Sequence, residues 1–147
     1  MGFSVSGATA VLFVGLLVSA ATLYPAVDRY TDRRSAATTA AEERELTRQN
    51  TAIEAVNATY NATTDELTVA VRNTGASTLA IPETDLLVDG EYTQPGAANT
   101  TVAGSTTTDL WAAGETLTIT VSRAAAPDRV KVVSGPGVAV TATVEVR

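Results

Sequence analysis

From Met1 to Val27 the chain carries no charged side chain, and Phe3 to Tyr24 is apolar or small throughout, with Val5, Val11, Leu12, Phe13, Val14, Leu16, Leu17, Val18 and Leu23. As a helix that run rises roughly 33 Å, enough to cross a hydrocarbon core of about 30 Å. Tyr24 then stands as an interfacial aromatic and Pro25 where a helix stops or bends. Asp28, Arg29, Asp32, Arg33 and Arg34 follow in water. Three other readings compete. A cleaved signal peptide wants a basic n-region and a shorter apolar core, and no Lys or Arg precedes this one. Met1-Gly2 with Ser6 fits a myristoylation pattern, but a segment long enough to span needs no acyl chain. A buried core helix would need a domain large enough to wrap it on every side, and only about 120 residues remain.

The inventory of the 147 residues narrows the chemistry. There is no Cys and no His, which removes thiol nucleophiles, disulfides, thiolate or imidazole zinc sites and any Ser-His-Asp triad. No cofactor, no small-molecule substrate and no enzymatic activity are expected. Sixteen Asp and Glu against ten Lys and Arg, a net charge of -6, argue against a nucleic-acid partner. Lys131 is the one lysine; an acidic, Lys-poor surface suits a high-salt milieu and predicts a halophile.

The sequence divides into a transmembrane helix over 1–27, a helical stalk over 28–50 and a β domain over 51–147. The stalk lacks Pro and Gly, and its Glu42, Glu43, Arg44, Glu45, Leu46 and Arg48 are good helix formers. It reads as a solvated connector or as a weak pair with a neighbouring stalk, which leaves a homodimer open. After Asn50 the apolar period changes to two. Leu67, Val69 and Val71 alternate with polar or small residues, as do Leu117, Ile119 and Val121, then Val130 and Val132, and finally Val138, Val140, Ala142, Val144 and Val146. Turn signals fall at Asn73-Thr74-Gly75, Asp89-Gly90, Pro95-Gly96, Ala113-Gly114 and Gly135-Pro136-Gly137. About seven short strands without an intervening helix predict an all-β, immunoglobulin-like antiparallel sandwich.

Candidate functional residues are few. Asn57, Asn61 and Asn99 open Asn-x-Thr sequons, which are N-glycosylation acceptors and favour a domain outside the cytoplasm. The positive-inside rule, applied to Arg29, Arg33 and Arg34, points the other way, but residues 28–50 balance five basic against five acidic side chains. Gly15 and Ser19, or Gly2, Ser6 and Ala10, form small-residue faces on which a second membrane helix can pack. Trp111 reads as a core or edge residue, with Trp111 and Leu86 the candidates for protein contact. Asp85, Asp89 and Glu91 raise calcium, although their spacing fits no EF-hand loop. Span, stalk and β head are also the silhouette of a pilin-like component of a filament. A prepilin leader is basic, whereas this chain opens Met1-Gly2-Phe3. The remaining alternative is an anchored carbohydrate- or calcium-binding sandwich.

Five segments, MGFSVSGATAVLF, RQNTAIEAVNATY, VRNTGASTL, TDLLVDGEY and LWAAGETLTITV with RVKVVSGPGVAVTATVEV, together resemble the FlaF-like archaellum stator family of halophilic archaea. The resemblance lies in their order over nearly the whole chain. It implies a single-pass protein of the cytoplasmic membrane whose immunoglobulin-like head lies outside, beneath the surface layer. There it would bind the surface-layer protein, work with the sister G-type stator protein and serve archaellum-dependent swimming. No catalytic residue transfers from that family.

Overall fold

The computed structural model describes residues 3–94 and 99–147. The Pro95-Gly96 turn signal and the Met1-Gly2 pattern lie outside the described residues. The chain forms two compact units, Met1–Glu43 and Arg44–Arg147.

One helix, α1, runs over Phe3–Gln49. Pro25 lies inside it and does not end it, although its ring nitrogen cannot donate the hydrogen bond that an ordinary residue would make one turn back. Val11, Leu12, Phe13, Val14, Leu16, Leu17 and Val18 are all exposed. At 100° per residue these positions cover the whole circumference, so this part of α1 has no polar face to turn toward water. The stretch is long and apolar enough to cross a membrane.

In the second unit α1 ends in a closed set of hydrogen bonds. Asn50 N donates to Leu46 O at 3.0 Å, and Thr51 Oγ1 donates to Thr47 O at 2.7 Å, which occupies carbonyls the last turn would leave open. Eleven strands follow among the described residues: β1 (Ile53–Asn61), β2 (Glu66–Asn73), β3 (Leu79–Ala80), β4 (Asp85–Val88), β5 (Glu91–Thr93), β6 (Thr100–Val102), β7 (Leu110–Trp111), β8 (Thr116–Ser122), β9 (Arg129–Val133), β10 (Ala139–Thr143) and β11 (Glu145–Val146). A 3-10 turn at Ile81–Glu83 separates β3 from β4.

One sheet has the order β11-β1-β2-β8-β6, the second the order β10-β9-β4-β5, and β3 pairs with β7. All pairings are antiparallel except β1 with β11. The count exceeds the seven expected because the ladder breaks into two- and three-residue pieces. The C-terminal run, expected as one strand, also divides. β10 belongs to the second sheet and β11 to the first, with Val144 buried between them and its N–H on Asp128 O at 3.0 Å. Val146 is consequently 59% exposed.

The alternation places Leu67, Val69 and Val71 of β2 and Leu117, Ile119 and Val121 of β8 in one inner layer. Leu86 and Val88 of β4 and Val130 and Val132 of β9 lie in the other, and all join one apolar cluster. Each such side chain contributes about 1.5–3 kcal/mol by leaving water, and with no Cys in the chain this burial is the main source of stability. The result is the antiparallel, immunoglobulin-like sandwich that the period-two pattern predicts.

Candidate functional site

The junction of helix and sandwich is built on Asn73, which the sequence marks only as a turn residue. Asn73 is fully buried. Its Nδ2 donates to Ser77 O at 2.8 Å and to Trp111 O at 3.3 Å, while its Oδ1 accepts from Gly75 N at 3.1 Å. The turn so fixed grips the chain leaving α1. Thr74 N and Gly75 N donate to Ala52 O, and Ala76 N and Ser77 N donate to Asn50 O, at 2.8–3.2 Å. A Cβ on Gly75 would stand 2.5 Å from both Ala52 N and Asn50 O, so the close approach requires glycine. No periodicity argument finds this clamp; the VRNTGAS string is its only signal.

At the other end of β2, the buried Tyr60 hydroxyl lies 2.8 Å from Asp65 Oδ1 and 3.0 Å from Arg123 O. Its one hydrogen is shared between two acceptors. Donation to the Asp65 carboxylate, then burial and the Asp65 charge, raise the Tyr60 pKa above that of a free tyrosine. Arg123 binds Thr93 Oγ1 and lies 3.6 Å from Glu91 Oε2, which ties the end of β8 to β5 across the two sheets.

Trp111 and Leu86 are each 0% exposed. Neither offers a surface to a partner, which corrects their assignment as candidate protein contacts. Trp111 fills the core beside the Asn73 turn, and Leu86 is held inward by the alternation of β4. Asp85, Asp89 and Glu91 do not form a metal centre: no group of three or more acidic side chains that could hold a metal ion occurs among the described residues. Asp89 Oδ1 instead accepts Asp128 N and Arg129 N at 3.1 and 3.0 Å, and Glu91 faces Arg123.

Asn57, Asn61 and Asn99 are all exposed. Asn57 and Asn61 lie on β1 and Asn99 immediately precedes β6, two strands of the five-stranded sheet. Asn61 Oδ1 accepts Thr63 N at 2.9 Å and Thr64 N at 3.3 Å, using the side-chain oxygen and leaving the nitrogen through which a glycan attaches. On α1, Ser19 Oγ bonds Gly15 O at 2.8 Å, and the exposed Gly15 has nothing within 4 Å of where a Cβ would stand. Ser6 and Ala10 are likewise exposed; Gly2 lies outside the described residues.

Among solved structures, the chain is similar to the archaellum periplasmic stator protein FlaG from Sulfolobus acidocaldarius (16% identity over 63% of this chain and 97% of that one, TM-score 0.44). It is also similar to the FlaF and FlaG stator complex of the same organism (15% identity, 61% and 85% covered, TM-score 0.43). The first immunoglobulin domain of the mouse polymeric immunoglobulin receptor is similar too (11% identity, 64% and 92% covered, TM-score 0.36). Comparison with curated proteins finds no match. The archaeal-type flagellin family model matches residues 2–146, taking in α1 and the sandwich together. That extent agrees with the archaellum resemblance carried by the five sequence segments. The chain belongs to the archaeal-type flagellin family, whose members are structural components of the archaellum and not enzymes.

Proposed function

We propose that this chain is a membrane-anchored structural part of the archaellum motor stator. In this reading residues 1–27 span the cytoplasmic membrane, 28–50 form a hydrophilic helical stalk, and 51–147 lie outside as a head beneath the surface layer. The head binds the surface layer and a sister stator protein of the FlaG type, and takes the reaction force of the rotating filament. The observation that carries the reading is the family match across helix and head together, joined to the ordered resemblance to the FlaF-like stator family. The hydrogen-bonded clamp between Asn50–Ala52 and Thr74–Ser77 suits a head that bears load at the point where its own chain begins. The three exposed sequons suit an external head.

A second reading, a pilin-like component of a filament, is favoured by the flagellin family match itself. An apolar helix without a polar face would serve the core of a filament as well as a bilayer. Fractionation separates the two. After filaments are sheared from intact cells, the stator reading expects the chain in the envelope fraction and absent from purified filaments. Recovery as a major filament component would establish the second reading instead.

A further inference from the structure

We propose, resting on the stator reading, that the outer face of the four-stranded sheet is the surface that docks on the surface layer, and that Arg129 and Lys131 recognise carboxylates there. The argument starts from charge. Residues 51–147 carry eleven acidic and five basic side chains. Arg123 pairs with Glu91, Arg147 with Glu145, and Arg72 Nε binds Gly114 O. Arg129 and Lys131 have no acidic partner among the described residues. They sit two apart on β9, outside the buried Val130 and Val132, which places them on one face about 7 Å apart.

The strand register arranges what surrounds them. Tyr92, Leu87, Lys131 and Thr141 lie in one row across β5, β4, β9 and β10, and Arg129 pairs with Thr143 in the adjacent row. Leu87, Gly90, Arg129, Lys131 and Thr141 line a shallow cavity of about 260 Å³. Tyr92, 58% exposed, extends the row with an aromatic ring. The nearby Asp89 carboxylate is held by the Asp128 and Arg129 N–H groups. A guanidinium fork beside an ammonium, in a half-enclosed hollow with an aromatic rim, suits a carboxylate-bearing chain.

One further observation and one inference from composition choose the occupant. All three sequons lie on or immediately beside strands of the opposite sheet, so glycans there would leave this face bare. On the halophile reading, the solubility demand that the acidic composition of this chain answers acts equally on a lattice in the same medium. A carboxylate-rich lattice is therefore the complementary partner.

The test is co-sedimentation of the full-length protein, in detergent micelles, with isolated surface-layer sheets. The unaltered chain should pellet with the sheets, and soluble polyglutamate should displace it. The Arg129→Gln/Lys131→Gln double variant should bind at least tenfold more weakly, with each single variant between. Arg72→Gln, on the other sheet, should bind as the unaltered chain does. Thermal unfolding reports that the variants remain folded, as expected for exposed positions. Equal binding by the double variant, an equal loss in Arg72→Gln, or no displacement by polyglutamate overturns the inference while leaving the anchoring reading intact. Failure of the unaltered chain to bind the sheets removes the anchoring reading, and this inference with it.

Discussion

At Asn73 one buried amide joins three segments of the head, and its burial is tolerable because every hydrogen bond described for it is made inside. Asn73→Leu keeps the volume but takes the side-chain donor from the Ser77 and Trp111 carbonyls and leaves the Gly75 N–H with Ala52 O alone. The loss should be about 3 kcal/mol, a fall in unfolding midpoint of roughly 10 °C or more for a domain this size. Gly75→Ala forces the turn away from Asn50 and Ala52, at a cost of about 1–3 kcal/mol. Hydrogen exchange should show faster exchange at the Thr74–Ser77 amides while the core of β2 and β8 stays protected. Tyr60 adds a pH signature. Its pKa is raised in the folded state, so the folded form keeps a proton that the unfolded chain loses near pH 10. The stability it contributes is complete below that pH and declines as pH rises through the raised folded value. Tyr60→Phe should lower the unfolding midpoint at neutral pH and flatten this alkaline decline; an unchanged midpoint–pH curve would remove the hydrogen bond from the account.

At the scale of elements, α1 and the long strands were legible because each carries its own period. The all-apolar run predicts a span, and the alternation of Leu67 to Val71 and Leu117 to Val121 predicts inner layers that the burial reproduces. Asp89-Gly90 was legible as a turn because both residues tolerate positive φ, and both adopt it, at 52° and 89°. The β1–β2 connection was not, since Ala62–Asp65 contains neither Gly nor Pro. It closes through the Asn61 side chain and a left-handed Asp65, at φ 54°. Nor does sequence order reveal that Val144 is a pivot between sheets, or that Trp111 and Leu86 are sealed inside, because those facts depend on which strands become neighbours. For α1 itself, Leu16→Arg with Leu17→Arg puts two charges mid-span, each costing about 3 kcal/mol of insertion. The doubly substituted chain should leave the carbonate-resistant membrane fraction, in which the unaltered chain should remain.

The whole molecule combines a helix with an all-apolar stretch, a sandwich stabilised by aliphatic burial, and a clamp that fixes the chain where it enters the sandwich. The archaeal-type flagellin family match takes in helix and sandwich together over residues 2–146. The proposed external location of the head is open to a direct chemical check. Peptides bearing Asn57, Asn61 and Asn99 from chain isolated from its own cells should carry glycan mass, and unmodified peptides at all three would count against glycosylation. The central claim concerns the motor, and the most direct measurement is made on cells lacking the gene. The stator reading predicts that such cells still assemble archaella, visible by electron microscopy, but do not swim, and that the full-length chain restores swimming. Normal swimming in the deletion strain would contradict it.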